Sequence, residues 1–177
     1  MLRYIAVVAI VVMITGCGVA PAPPTLPEEV LKALNAMFPM EDHAGMYFTM
    51  WYGVYDRSRR ELTFASAGHH PAFLVPAERQ QAIALRTRSG LVGADPGTRY
   101  RVETISVPAA SALYLFSDGV FEIVTKDGIE WSLNDFVPRL LGDSNPGTCQ
   151  RLFKEVRGQA HTGGLDDDFS LLLLNFD

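Results

Sequence analysis

Ala112-Leu113-Tyr114-Leu115-Phe116-Ser117-Asp118-Gly119-Val120-Phe121-Glu122 is the stretch from which the fold can be read: an apolar strand over residues 112–116 runs straight into a carboxylate on a glycine turn. Glycine tolerates the tight backbone of such a turn, so Asp118 is set at a strand end. A second stretch mirrors the first, with Asp166-Asp167-Asp168 standing just before the apolar strand of residues 171–174. Carboxylates crowded at the mouth of a sheet repel one another unless cations or hydrogen bonds compensate, and a hard divalent ion such as Mg²⁺ or Mn²⁺ is one compensator. Solvated turns are the other reading, because Asp-Gly is a common turn dipeptide and an acidic run is usually a loop.

Outward from these two turns the chain alternates strands and helices. Pro27, with Glu28 and Glu29 behind it, opens a helix whose apolar positions Val30, Leu31, Leu34 and Phe38 follow at helical spacing until Pro39 ends it. Residues 46–55 and 61–67 are rich in strand-forming side chains and flank the polar segment Asp56-Arg57-Ser58-Arg59-Arg60, which predicts an antiparallel hairpin. Strands are further predicted at 72–75, 82–86, 100–107, 112–116 and 169–176, and helices at 132–141, with Ser132 as its cap, and 148–159. Tyr47, Phe48, Trp51 and Tyr52 alternate along a strand and read as core rather than as a stacking surface for a ligand.

The 177 residues favour one domain, and 48% hydrophobic against 20% charged residues is an ordinary globular balance. A formal charge of -5 provides no electrostatic pull on phosphate backbones, which argues against nucleic acid as a partner. Two cysteines, Cys17 and Cys149, build neither a disulfide framework nor a zinc site, so a metal here needs oxygen ligands. Cys149 falls in a helical stretch and reads as an inert thiol.

Residues 1–26 form an apolar segment followed by a proline-rich linker, and residues 27–177 form the domain proper. The apolar run 4–14 is too short for a membrane-spanning helix, which needs about 20 residues. It admits two readings. Arg3, the apolar run and Ile14-Thr15-Gly16-Cys17 look like a bacterial lipoprotein signal with Cys17 as the lipidated residue. Alternatively, the β-branched residues Ile5, Val7, Val8, Ile10, Val11, Val12 and Ile14 make a buried strand bounded by Gly16. The strand reading is the one we expect, with the protein in the cytoplasm; a membrane location follows only if Cys17 is lipidated.

Four blocks, taken in order, carry a resemblance. Phe48-Thr49-Met50-Trp51-Tyr52-Gly53-Val54-Tyr55-Asp56, Glu61 through Ala67 with Gly68-His69-His70-Pro71, Ser117-Asp118-Gly119-Val120-Phe121-Glu122, and Asp167-Asp168-Phe169-Ser170-Leu171-Leu172 resemble the PPM-type metal-dependent serine/threonine phosphatases of the SpoIIE branch. The likeness covers residues 27–177. It implies an α+β fold, an α-β-β-α sandwich of two antiparallel sheets flanked by helices and here truncated at its N-terminus, with a binuclear Mn²⁺ or Mg²⁺ centre at one sheet end. In such a centre the metals activate water for attack on phosphoserine or phosphothreonine. The resemblance implies Asp118 and Asp167 as metal ligands, with Asp168 in a more variable position beside them, and His69 and His70 as parts of a strand connection. It assigns no side chain of this chain a catalytic role of its own.

The same resemblance exposes missing parts. The family carries further ligands in its N-terminal half, one in a Gly-Asp pair and one in a Gly-Asp-Val-Ser/Thr-Gly-His-Gly turn. Residues 12–22 resemble a decayed form of that turn, with Met13 where the aspartate belongs and Cys17 where the histidine belongs, and the Gly-Asp pair is absent. A thioether does not replace a carboxylate on a hard ion. Two function classes follow: a protein phosphatase module acting on a phosphorylated regulator of sigma-factor control, weak or impaired in turnover, and a non-catalytic binding module or membrane-anchored remnant. A homodimer is compatible with either.

Overall fold

The computed structural model describes residues 26–161, 165 and 167–177, together with the backbone of 4–6 and 14–15. The middle of the predicted N-terminal strand, Met13, Cys17, the proline-rich linker and Asp166 lie outside the described residues. The chain divides into two compact units, one of Met1–Pro71 and Leu85–Val107 and another of Ala72–Ala84 and Pro108–Asp177.

In the first unit, β1 (Tyr4–Ala6) and β2 (Ile14–Thr15) both pair parallel with β3 (Tyr47–Asp56). Parallel neighbours need a crossover connection, and α1 (Pro27–Met37) lies in it. From β3 the sheet continues antiparallel through β4 (Glu61–Ala67) to β7 (Glu103–Ser106). The β3–β4 turn is closed by Asp56, whose Oδ1 accepts from Ser58 N at 2.8 Å, Ser58 Oγ at 2.7 Å and Arg59 N at 3.1 Å. These bonds hold the Asp56 carboxyl below its ordinary range, the Ser58 hydroxyl contributing most.

Alternate residues Met50, Tyr52 and Val54 of β3 cluster with Ala65 and Ala67 of β4 and with Leu31 of α1, where Val30 and Leu34 complete the apolar stripe. The helical spacing is therefore realised, except that Phe38 falls past the helix end and is 39% exposed. In the position one turn after Leu31 stands Asn35, buried to 4%. Its Nδ2 donates to Asp95 O at 2.9 Å and its Oδ1 accepts from Gly93 N at 2.7 Å, so a buried amide ties the 93–95 loop to α1. Trp51, on the other face of β3, stacks on Phe64 at 5.6 Å. Gly53 is required beside it, because a Cβ there would collide with the indole ring.

The second unit holds a sheet of order β6-β5-β8-β9, built from Ile83–Leu85, Ala72–Val75, Ser111–Phe116 and Leu171–Phe176. β8 is buried at all six residues and pairs antiparallel with both β5 and β9. Phe116 is the centre of its core, stacked with Phe73 at 5.9 Å and edge-on to Phe136 at 5.0 Å, with Leu140, Leu152 and Val156 around it. α3 (Thr148–Gln159) supplies Leu152 and Val156 at helical spacing. The helix predicted at 132–141 is split into α2 (Leu133–Phe136) and a 3₁₀ turn over Val137–Leu141. Pro138 is the reason, since it has no N–H for an α-helical bond and its ring crowds the preceding turn. Ser132 and Asp135 form a capping box at the start of α2, each side chain accepting from the other's backbone.

The class is α+β, with two sheets and helices packed on them, as the resemblance implies. Among the described residues no helix is long and apolar enough to cross a membrane.

Candidate functional site

The site grows from the end of β8. Ser117 follows Phe116 and is buried, and its backbone N donates to Ser170 O at 2.9 Å, the last tie before β9 begins. Its hydroxyl then does two things: Oγ donates to Asp168 O at 2.6 Å and accepts from Ser170 N at 2.9 Å. One serine side chain thus fastens the loop of residues 168–170 to the end of β8. Beyond it, Asp118–Val120 form a single 3₁₀ turn, closed by Phe121 N and Glu122 N donating to Asp118 O at 2.9 and 2.8 Å.

Gly119 is the point of closest approach. A Cβ at that position would lie 2.7 Å from Asp168 O and 3.1 Å from the carbonyl carbon of Asp167, so the turn and the acidic loop touch backbone to backbone. The structure therefore brings the Asp118 turn and the Asp167-Asp168 loop together, 49 residues apart in sequence between Asp118 and Asp167. Asp118 is half-buried, and Asp167 and Asp168 are exposed. Local amides meet two of the carboxylates: Gly119 N donates to Asp118 Oδ1 at 3.1 Å and Asp168 N to Asp167 Oδ1 at 2.7 Å.

A third carboxylate belongs to the neighbourhood. Burial first, then the charges of Asp118 and Asp167, push the Glu122 carboxyl above its ordinary value. The resemblance marks Glu122 as a matched position without a duty; the structure gives it a place in the field of both aspartates. Ser117 carries no signal of its role in the sequence, because a small polar residue between a strand and an Asp-Gly turn reads as part of the turn.

Among the described residues, no three His, Cys, Asp or Glu side chains cluster closely enough to hold a metal ion. On this side the described residues offer a pair of neighbouring acidic turns. Met13 and Cys17, the positions matched to the family's other ligands, lie outside the described residues. His69 and His70 belong to the first unit, where His69 is buried and its Nδ1 donates to His70 O at 2.9 Å, as expected of a strand connection. His43 Nδ1 donates to Pro39 O at 2.9 Å, closing the turn after α1. Cys149 is half-buried in α3, and burial pushes its thiol up, away from the reactive thiolate.

Comparison with known proteins is consistent with this geometry. Residues 6–177 match the family model described as Stage II sporulation protein E (SpoIIE). The phosphoserine phosphatase RsbU of Bacillus subtilis is 27% identical over 151 residues, which is 84% of this chain and 44% of RsbU. Among solved structures, the SiaA-PP2C domain of Pseudomonas aeruginosa superposes with a TM-score of 0.72 at 18% identity, over 86% of this chain and 62% of that one. The phosphatase domain of the cell fate determinant SpoIIE from Bacillus subtilis, presoaked in Mn, gives 0.61 at 17% identity, over 85% and 65%. The chain thus spans less than two thirds of the length of each of these proteins.

Proposed function

The chain belongs to the SpoIIE family, and from that premise we propose that it is a protein phosphatase module for phosphoserine or phosphothreonine on a regulatory protein of sigma-factor control, with turnover impaired by an incomplete ligand set. The observation that carries this reading is the apposition of the Asp118 turn and the Asp167-Asp168 loop with no third ligand joining them among the described residues. RsbU, a phosphoserine phosphatase, supports the substrate class. Mn²⁺ or Mg²⁺, when bound in a centre of this family, supplies an activated water and steadies phosphate charge. This chain's own part is to hold Asp118 and Asp167 in place through Ser117 and Gly119; an ion held by two such carboxylates keeps most of its waters and binds weakly.

A phosphoserine peptide assayed with Mn²⁺ tests the proposal. Slow, metal-dependent phosphate release that Asp118→Asn removes is the expected result. Fast turnover abolished by Asp118→Asn would refute the impairment, and no release at any metal concentration would leave the binding module as the function.

We also propose a cytoplasmic location. The parallel pairing of residues 4–6 and 14–15 with β3 supports the strand reading of the N-terminus over a cleaved leader. Cell fractionation of the parent and Cys17→Ser checks it: a shortened, lipid-labelled membrane species lost in the variant would reverse the assignment.

A further inference from the structure

Resting on the phosphatase reading, we propose that a cleft beside the Asp118 turn docks a cationic side chain of the substrate protein, an Arg or Lys next to an apolar residue near the phosphorylated position. The cleft has a volume of about 470 Å³ and is lined from two short stretches, residues 121–124 and 130–133. Its backbone is fixed. Trp131 N donates to Ile123 O at 2.9 Å, Thr125 N donates to Ile129 O at 2.8 Å, and Val124 and Glu130 form an antiparallel bridge between them. The two lining stretches are therefore the arms of one small ribbon, and the cleft does not depend on side-chain packing alone for its shape.

The lining chemistry selects a charge. Glu122 and Glu130 are the charged residues of the lining, no Lys or Arg contributes to it, and the rest is mainly apolar, with Val124 39% exposed. The cation nearest in kind, Arg139, has its guanidinium 4.3 Å over the Trp131 ring and donates to Asp135 O, so it is already engaged. Glu122 joins the cleft to the acidic mouth: its N donates to Asp118 O, and Asp118 and Asp167 both act on its carboxyl. An anionic occupant is repelled by these groups, and a wholly apolar one strips water from carboxylates without replacing it. A Lys or Arg satisfies both demands, its aliphatic stem lying on apolar lining while its head meets the carboxylates. The hydrogen bond from Glu122 N to Asp118 O at 2.8 Å ties this cleft to the Asp118 turn, which is why the docked residue is assigned a place near the phosphorylated one.

Fluorescence anisotropy without metal tests the proposal, using two labelled peptides that differ at one residue, Arg-Leu-Ser or Glu-Leu-Ser at the centre, each as serine and as phosphoserine. The Arg peptides are expected to bind the full chain about tenfold tighter than the Glu peptides at low salt, since exposed ion pairs are each worth a few-fold and here attraction replaces repulsion. At 0.5 M NaCl the preference shrinks, as screening requires. Glu130→Lys alters an exposed side chain whose strand pairing is backbone only; it should abolish or reverse the preference with the melting temperature kept, and Glu130→Gln should weaken it. Equal binding of the two peptides, or a preference unchanged in Glu130→Lys, overturns the proposal. Self-association sensitive to Glu130→Lys, without any peptide preference, also overturns it by assigning the cleft to a second copy. Preference in the unphosphorylated pair without hydrolysis under Mn²⁺ upholds the cleft and refutes the phosphatase reading, whereas hydrolysis indifferent to Arg or Glu refutes the cleft alone.

Discussion

Gly119→Ala is the sharpest perturbation of the acidic mouth. The glycine's φ lies outside the left-handed region, so alanine meets no dihedral penalty there, and a helical turn would on its own slightly favour it. Space decides the outcome instead. The added Cβ would stand 2.7 Å from Asp168 O, a backbone atom that cannot swing aside as a side-chain tip does. Overfilling of this kind costs about 1–3 kcal/mol. Asp168 O is also the acceptor for the buried Ser117 hydroxyl at 2.6 Å, and moving it away loses a hydrogen bond worth about 1 kcal/mol. The expected destabilisation is about 2–4 kcal/mol, which for a chain of this size lowers Tm by about 2–4 °C for each kcal/mol. Gly158→Ala is the control, because it lies in α3 with nothing within 4 Å of its Cβ, and alanine there should stabilise by about 0.5–1 kcal/mol. Urea unfolding followed by tryptophan fluorescence measures both through the midpoint at a common slope. A Gly119→Ala midpoint equal to or above the parent's would refute the backbone apposition on which the site rests.

Asn35→Ala leaves the buried Gly93 N without its acceptor, while Asp95 O keeps the bond from Thr98 N, and the loss should be about 1–3 kcal/mol in the same urea experiment. Tyr100, whose hydroxyl is pushed up to about 12 by burial and then by the charge of Asp95, gives the fold an alkaline limit. The folded state favours the neutral phenol, so this contribution is whole below the ordinary value of 10.0 and is lost as pH rises toward about 12; Tyr100→Phe should flatten the stability profile across that window.

Much of the fold is legible because its strands are apolar runs cut by turn residues. β4, β5 and α3 occupy the residues their patterns predict, and β8 extends its prediction by Ser111 alone. Where the pattern misleads, a single competing force can be named. Pro138 cuts a helix whose apolar spacing runs on undisturbed to Leu141, since periodicity counts side chains and takes no account of a missing N–H. Asn35 is invisible to the same count for the converse reason: a stripe of apolar residues passes over an amide, although at that position the buried Gly93 N needs an acceptor and makes the amide the better core residue. The parallel partners of β3 are equally hidden. Strand pairing is a long-range choice, and the hairpin at Asp56 specifies only one edge of β3.

At the site, the aspartates can be found because their two turns are blocks of the ordered resemblance, Asp-Gly alone being a common turn, but what holds them together cannot. Crowded acids need either a cation or hydrogen bonds to offset their repulsion. Among the described residues, Asp118 and Asp167 each take an adjacent amide N–H, and the two turns are joined by neutral groups, the Ser117 hydroxyl and the bare Cα of Gly119. Gly119 and Asp168 therefore serve both ends: the N–H of each meets a carboxylate, while the Cα of Gly119 and the carbonyl of Asp168 make the contact between the turns. A mouth tied in this way owes the proximity of its carboxylates to the Gly119 contact and the Ser117 hydroxyl, neither of which carries a charge.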